Sequence, residues 1–301
     1  MAGNLFLSFH NQAPMPIEAV KRETAQKISA IVAGCGSAGV NILASSRSGR
    51  RITVDSSPSA DLRLDRVLLS ASETDASVMK RTDHPFLEKF RRLSEGADVV
   101  MIVAGLGGFA GGAASAAVAR AARALSLPVI SSVALPFDVE GASRRAAARK
   151  SLELLADSSS ITVPFENSII NQTMPNVRMT RALDIMNRIV VSPLEEVMQY
   201  ADTSFLEGIA RRKFRGTYAV THASGLEWER KGAQSIVAEF GADAAALSRM
   251  HLFLSMSRGM ENSAERLGEE VAGKLEGCDV TVWVRDAEEE GHNRIGALGL
   301  R

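Results

Sequence analysis

The sequence is short of cysteine and aromatic residues and has no excess charge of either sign. Cys35 and Cys278 are its 2 cysteines, too few for a disulfide framework or a cysteine-based zinc site, so we expect a reducing, cytoplasmic location. Lysine plus arginine equals aspartate plus glutamate at 35 each, and aromatic residues make up 5%. We therefore interpret the basic run at residues 211–215 as a solvated face and expect no nucleic-acid partner.

Long apolar runs and metal-binding spacings are also missing. No stretch reaches the roughly 18 apolar residues of a membrane helix, and the N-terminus lacks a cleavable signal pattern, so we expect no membrane segment. The 5 histidines show no ligand spacing, which predicts no metal site of the protein's own. The chain of 301 residues is 46% apolar, enough for two domains or one large domain.

Short apolar runs alternate with helical patterns through residues 27–177. Buried strands are predicted at residues 29–33, 51–54, 99–104, 128–135 and 160–163. Strands that are apolar on both faces and alternate with helices predict an α/β, doubly wound parallel sheet. Residues 27–177 are therefore the first predicted domain.

The remaining chain divides into three parts. Residues 1–26, with Pro14 and Pro16, are interpreted as an N-terminal arm or a poorly ordered tail. Residues 178–200 carry apolar side chains at three- and four-residue spacing, which predicts one long central helix that Pro193 kinks or restarts. Residues 201–301 predict a smaller, mixed-sheet α/β domain.

Two glycine-rich loops each connect a buried strand to a helix. The first, GCGSAG, runs from Gly34 to Gly39, and Asp55 ends the following strand. This is close to the dinucleotide fingerprint, in which small residues let a helix N-terminus approach phosphate. The second is GLGGFAGG, from Gly105 to Gly112. Both could meet one phosphate chain at the carboxyl edge of the sheet, although each could also be a structural turn without a ligand.

The loop PFDVEGASR offers a carboxylate and a cation after a predicted strand. Glu140 could accept ribose hydroxyls and Arg144 could reach phosphate. An acidic residue in a first helical turn is also favoured by the helix dipole alone, so Glu140 has this simpler interpretation as well.

The order of these motifs resembles FtsZ and, more distantly, tubulin. GCGSAG, VDSSP, AGLGGFAGGA, LPFDVEG, VPFENS and a long helix follow one another in the family's order. The resemblance extends over residues 29–301, and the stretch PFDVEGASR is its most specific part. It implies a nucleotide-binding domain, a connecting helix and a smaller second domain.

The resemblance also implies a guanine-nucleotide site for GTP or GDP, and leaves open whether Mg²⁺ accompanies the nucleotide. The glycine loops would hold the phosphates, Glu140 the ribose, Arg144 the phosphates and Asn167 the base or ribose. Asp184 falls near the guanine-recognising position, or is a solvated helix charge. The full implied set is Gly34, Cys35, Gly36, Ser37, Gly39, Gly107, Gly108, Phe109, Ala110, Gly111, Gly112, Glu140, Arg144, Asn167 and Asp184.

Three departures from the family pattern bear on hydrolysis. The second loop lacks the family's threonines and carries Phe109, and residues 70–75 have two acids in place of glycines. In the loop after the long helix, Glu207 aligns with the second hydrolytic acid, Ser204 replaces the first, and Asp202 is nearby but displaced. Misplacement by about 1 Å can cost on the order of a hundredfold in rate, so weak or absent hydrolysis is predicted.

Three functions are open on this basis. The first is a cytoskeletal protein that binds guanine nucleotide and self-associates head to tail into filaments or oligomers, as an impaired GTPase. The second is an assembly protein with a degenerate pocket that ignores nucleotide. The third is an NAD-dependent oxidoreductase built on the first loop and Asp55, which leaves the second loop unexplained. The family's adaptor-binding C-terminal tail is expected to be absent.

Overall fold

The computed structural model describes residues 17–22, 27–55, 65–68, 85–257, 260–287 and 293–301. The predicted γ-phosphate loop at residues 70–75 lies outside the described residues. For Phe109 the backbone is described and the side chain is not. Within the described part of the chain, no helix combines the length and apolar character needed to cross a bilayer.

Within the described residues, eleven strands form one sheet, in the order β1-β10-β9-β11-β8-β7-β6-β5-β2-β3-β4. The strands are β1 (Ala19–Arg22), β2 (Ala30–Cys35), β3 (Arg50–Asp55), β4 (Asp65–Leu68), β5 (Val99–Gly105), β6 (Val129–Leu135), β7 (Ile161–Glu166), β8 (Phe214–Ala223), β9 (Arg249–Met256), β10 (Asp279–Asp286) and β11 (Asn293–Leu300). The α-helices are α1 (Gly36–Leu43), α2 (Pro85–Leu93), α3 (Phe109–Ala124), α4 (Ala142–Ser158), α5 (Ile169–Thr173), α6 (Met179–Tyr200), α7 (Thr203–Ile209), α8 (Trp228–Phe240) and α9 (Glu261–Ala272).

The first part of the sheet is parallel throughout, as predicted. Strands β4, β3, β2, β5, β6 and β7 pair in parallel. Every residue of β2 and β6 is buried, because helices cover both faces. One apolar cluster contains Leu43 of α1 and Met186 of α6, and another contains Val118 of α3 and Leu155 of α4. The α/β fold class is confirmed.

The second part of the sheet is mixed, also as predicted. Strand β11 pairs antiparallel with both β8 and β9, while β10 pairs parallel with β9. Helices α8 and α9 cover one face, where Ile236 and Leu267 join a separate apolar cluster. Two residue pairs between β7 and β8, Ile161 with Phe214 and Thr162 with Arg215, connect the two parts.

One segment of the predicted arm is a strand. Ala19–Arg22 pairs in parallel with β10, with Ala19 opposite Thr281, and the backbone N–H of Glu18 donates to the carbonyl of Val280 at 2.9 Å. A poorly ordered tail is therefore wrong for these residues. Four residues are too few for a clear alternating pattern, and the edge of β10 supplies the hydrogen bonds that make them a strand.

The long helix α6 is continuous from Met179 to Tyr200, with Pro193 inside it. Pro193 therefore does not end the helix, although it cannot donate the usual backbone hydrogen bond. Met186, Val190, Leu194 and Val197 form its buried face against the sheet. This packing holds α6 beside the carboxyl ends of β5 and β6.

A buried polar junction, formed by Glu196, Tyr218 and Arg294, joins α6 to the second part of the sheet. Glu196 is 3% exposed. Its Oε1 accepts hydrogen bonds from Arg294 and, at 3.0 Å, from the Tyr218 hydroxyl. A Cβ added to Gly296 would lie 2.7 Å from that oxygen. The absence of a side chain on β11 thus makes room for the carboxylate.

Candidate functional site

A cavity of about 340 Å³ opens at the carboxyl ends of β5 and β6, beside the first half of α6. Its walls combine strand ends, the loop after β6 and one face of α6. The lining residues are Ala38, Ile42, Gly105, Leu106, Ala134, Leu135, Pro136, Phe137, Val139, Glu140, Arg144, Asn167, Met179, Leu183, Met186 and Asn187. Its position at the carboxyl edge of parallel strands and its mainly apolar walls are typical of small-ligand sites.

The two glycine loops touch each other at the edge of this cavity. Gly36 has φ +70°, and a Cβ added there would lie 2.7 Å from the backbone nitrogen of Gly111. A Cβ on Gly39 would lie 2.5 Å from the carbonyl oxygen of Val103. Helices α1 and α3 therefore begin side by side, which brings two helix N-termini to one place on the sheet edge.

Several of the loop glycines are required for packing. A Cβ on Gly34 would lie 2.8 Å from the carbonyl oxygen of Gly39, and one on Gly107, where φ is +95°, would lie 2.8 Å from that of Arg144. Gly112 faces Ser151 of α4. Gly108 is different, because nothing lies within 4 Å of its added Cβ and it is exposed.

The other residues of these loops differ in what they offer a ligand. Ser37 is exposed at the start of α1 and Ala110 is half-buried at the start of α3. The side chain of Cys35 is buried, and burial, followed by the nearby Asp55 charge, raises the pKa of its thiol. Cys35 is a free cysteine that stays protonated and can contribute to a site only through its backbone.

Glu140 and Arg144 both line the cavity and contact each other. Glu140 Oε1 accepts a hydrogen bond from the backbone N–H of Phe137 at 2.8 Å, which fixes the carboxylate at the end of a short 3-10 helix, Asp138–Glu140. Its Oε2 lies 3.1 Å from Arg144 Nη1. The Arg144 side chain is 52% exposed, so its guanidinium can reach an anion at the cavity mouth.

Asn167 presents an unpartnered acceptor. Its side-chain Oδ1 is buried without a hydrogen-bond partner, and the residue lines the cavity. The backbone holds it in place, because its N–H donates to the carbonyl of Leu135 at 3.3 Å. A buried acceptor left without a donor costs about 1–3 kcal/mol.

Helix α6 faces the cavity with Met179, Leu183, Met186 and Asn187. Asp184, the predicted guanine contact, is exposed and is absent from the cavity lining. Asn187 was missed in the sequence, although it follows Leu183 by one helical turn on the same face. The cavity wall thus brings together Glu140, Arg144 and Asn167, but not Asp184. The glycine loops contribute Ala38, Gly105 and Leu106 to it, and the glycines predicted to hold phosphate lie outside the wall.

The two predicted hydrolytic acids are far from this cavity. Asp202 caps α7, and its Oδ1 accepts the backbone N–H of Ser204 at 2.8 Å. Burial acts to raise the pKa of Asp202, but the Ser204 hydrogen bonds and the charge of Lys21 outweigh it and lower that pKa. Glu207 is exposed on α7. The cavity wall extends along α6 as far as Asn187. Because an α-helix rises about 1.5 Å per residue, the rest of α6, up to Tyr200, separates α7 from the cavity by roughly 20 Å.

Metal ligands do not cluster in the part of the chain that the structure describes: no group of three or more His, Cys, Asp or Glu side chains there could hold a metal ion. Oxygen atoms of a bound phosphate chain are the usual ligands of Mg²⁺ in nucleotide sites.

Comparison with known proteins gives a consistent result. The family model described as "Tubulin/FtsZ family, GTPase domain" matches residues 73–175. Cell division protein FtsZ 1 of Archaeoglobus fulgidus is 31% identical over 112 residues, which is 37% of this chain and 30% of that protein. FtsZ of Coxiella burnetii is 24% identical over 163 residues, 54% of this chain and 41% of that protein. The chain thus spans less than half the length of the curated relatives it matches.

Solved structures resemble the fold over nearly the whole chain. An empty FtsZ dimer of M. jannaschii has a TM-score of 0.76 at 15% identity, covering 92% of this chain and 89% of that one. CetZ2 of Haloferax volcanii, described as a GTPγS-bound protofilament, has a TM-score of 0.70 at 19% identity, covering 91% of this chain and 94% of that one. At these identities the likeness concerns the fold.

Proposed function

Because the chain belongs to the tubulin/FtsZ superfamily, we propose that its cavity binds a guanine nucleotide, GTP or GDP, and that its copies associate head to tail. The observation that carries this proposal is a cavity at the carboxyl ends of parallel strands that brings together Asn167, Glu140 and Arg144. A nucleoside and its phosphates offer hydrogen-bonding and charged partners to such side chains, and the apolar walls suit a purine ring.

The phosphate chain would extend from this cavity over the two glycine loops. Gly36 and Gly111 are already in contact, so the phosphates would lie across the loops and not between them. The exposed Ser37 lies in the first turn of α1, and the exposed Gly108 is the N-cap of α3. Both positions are at helix N-termini, which stabilise negative charge. Arg144, which lies beside Gly107 of the second loop, would add a charge-assisted hydrogen bond. A nicotinamide dinucleotide would leave the second loop without a role, so that alternative has little support.

Self-association would place α7 of one copy over the cavity of the next. Asp202 and Glu207 cannot reach the cavity of their own chain, because the second half of α6 separates them from it by about 20 Å. A contact between opposite ends of identical subunits is heterologous and forms open filaments unless it closes into a ring. The relatives described as a dimer and as a protofilament support this arrangement.

Hydrolysis would be weak or absent. Asp202 is engaged as the cap of α7 and has hydrogen bonds from Ser204. Glu207 would be left as the single acid projecting from that helix toward a neighbouring copy. We also place the protein in the cytoplasm, in line with two free, buried cysteines.

The nucleotide proposal can be tested by identifying nucleotide released from the purified protein and by titrating GDP calorimetrically. Asn167→Leu should weaken GDP binding by roughly tenfold to a hundredfold, because it removes a buried hydrogen bond to the ligand. Arg144→Ala should also weaken binding. Arg149→Ala is the matched control, since Arg149 is exposed on the same helix and is not part of the cavity wall.

The outcomes separate the alternatives. Absence of released nucleotide, together with no heat on titration with GDP, would remove the nucleotide half of the proposal. Sedimentation velocity with and without GTP tests the assembly half. Assembly that ignores GTP would favour a nucleotide-independent protein with a degenerate pocket, and a monomer under both conditions would exclude both forms of self-association.

A further inference from the structure

Strand β1 is the last strand at one edge of the sheet. It pairs with β10 along Ala19–Arg22, and among the described residues no strand pairs with its other edge. An open edge presents backbone N–H and C=O groups that can pair with a further strand. Charged side chains normally protect such an edge, so the arrangement of the charges on β1 determines which partner it can accept.

The two faces of β1 carry different charges. Lys21 faces inward, where its Nζ donates a hydrogen bond to Ser204 Oγ of α7 and lies 4.8 Å from the ring centroid of Trp283. The exposed residues alternate with Lys21 and are Glu18, which precedes β1, Val20 and Arg22. The outer face of this edge therefore presents an acid, an apolar residue and a base at two-residue spacing.

This order is self-complementary when two copies of β1 run antiparallel. With Val20 opposite Val20 of the second copy, each Glu18 lies opposite Arg22 of the other copy, and opposite charges in such cross-strand pairs are stabilising. Glu18 already accepts a hydrogen bond from Thr281 Oγ1 at 2.9 Å, but a carboxylate can accept several. In a parallel pairing, like charges would lie opposite each other and repel.

From this charge complementarity we propose that β1 is a self-association site, at which the β1 edges of two copies pair antiparallel about Val20. The contact is isologous and closes after two copies, unlike a head-to-tail contact. Interfaces smaller than about 1,200 Å² are weak, so we expect a Kd of roughly 10 μM to 1 mM. None of the cavity-lining residues takes part, so the pairing should not require nucleotide.

Sedimentation equilibrium of the full chain without nucleotide, at concentrations up to about 1 mM, tests the proposal. Glu18→Lys and Arg22→Glu should each weaken dimerisation by roughly tenfold or more, because the two-fold symmetry turns two attractive pairs into two repulsive ones. The double variant restores complementary pairs and should return to within roughly threefold of the unaltered protein. Thr281→Val is the control, since it removes only the hydrogen bond to Glu18 within each copy.

Disulfide formation gives a second readout, which also checks the register. Opposite residues of antiparallel strands have Cα atoms about 4.5–5.5 Å apart, a separation that a disulfide can span. Val20→Cys should therefore form a crosslinked dimer on mild oxidation, because the native Cys35 and Cys278 are buried. Val220→Cys is the matched control, since Val220 is similarly exposed, at 44% against 39% for Val20, but lies on the inner strand β8.

Thermal melting should first show that each variant is folded. A monomer up to about 1 mM without a disulfide in Val20→Cys would overturn the proposal. Failure of the double charge variant to regain dimerisation would also overturn it. Association that appears only with GTP and is unaffected by either charge reversal would overturn it as well, while leaving the head-to-tail contact intact.

Discussion

Replacement of Arg294 should reveal how much the junction of Glu196, Tyr218 and Arg294 contributes to stability. Arg294→Met removes the cation beside a carboxylate that is 3% exposed. That carboxylate keeps one hydrogen bond, from Tyr218 at 3.0 Å, while its other oxygen, Oε2, is buried without a partner. The variant therefore leaves a buried charge between α6 and β11 with one hydrogen bond and the charge of Arg285 to stabilise it.

The expected loss follows from the burial of the pair. Removing one partner of a buried ion pair typically costs 3–5 kcal/mol. Because 35% of the Arg294 side chain is exposed, we expect the free energy of unfolding to fall by about 2–3 kcal/mol. Glu196→Gln should cost less, about 1 kcal/mol, since the remaining Arg294 can turn toward water. Arg91→Met, in an exposed pair with Glu88, is the control and should stay within about 1 kcal/mol.

The pH dependence gives the prediction a second readout. Burial raises the pKa of Glu196 and outweighs the opposing charge of Arg294. A carboxyl group whose pKa is higher in the folded state than in the unfolded state takes up protons on folding. Its protonation therefore stabilises the folded state at low pH, and this stabilisation is lost as the pH rises through the folded-state pKa. Because the charge of Arg294 lowers the pKa of Glu196, removing Arg294 should raise the pKa of Glu196 further. The loss caused by Arg294→Met should therefore be largest near about pH 7 and shrink toward about pH 5.

Urea unfolding of the single variants and of the double variant at both pH values is the assay. The double variant should lose less than the sum of the two single losses, because the charge that Arg294 compensates is gone. The prediction is contradicted if Arg294→Met lowers the free energy of unfolding no more than Arg91→Met does. It is also contradicted if the loss caused by Arg294→Met grows as the pH falls.

Two further predictions concern the glycine loops and a buried histidine. Gly36→Ala should lower the free energy of unfolding by at least about 2 kcal/mol, because Gly36 has φ +70° and an added Cβ would meet Gly111. Gly108→Ala is the control and should change that free energy by no more than about 0.5 kcal/mol. Equal losses for the two variants in urea unfolding would contradict this prediction. Burial, then the charges of Arg249 and Lys21, lowers the pKa of His251 to about 3. The folded state therefore binds fewer protons than the unfolded state below about pH 6.5, and stability falls with pH there. His251→Leu should flatten that fall between about pH 6.5 and 4, and an unchanged slope would refute it.

Local patterns were sufficient for most of the secondary structure. The apolar run predicted as a strand at residues 99–104 is β5, Val99–Gly105, and the three- and four-residue spacing at residues 178–200 is α6, Met179–Tyr200. Both signals are intrinsic to the segment, because burial imposes its period directly on the sequence. Short elements were missed: β1 has 4 residues and α7 has 7, which is too few for a period to emerge.

Some of the predicted site residues lie together in the structure. Glu140, Arg144 and Asn167 were singled out and the structure gathers them around one cavity. Asp184 was singled out as well and is outside it, while Asn187 was not considered. A helical pattern gives the spacing of side chains along an axis, but the rotation of that axis against the sheet depends on packing at positions such as Met186 and Val190.

The sequence by itself determined the alternation of strands and helices, the parallel core and the two glycine turns at strand ends, because each depends on residues close together in the chain. Only the tertiary structure decided that Gly36 touches Gly111, that an acceptor on Asn167 is buried without a partner, and that Asn187 and not Asp184 faces the cavity. These are contacts between distant segments. They depend on how helices rotate and pack against the sheet, and no local pattern encodes that rotation.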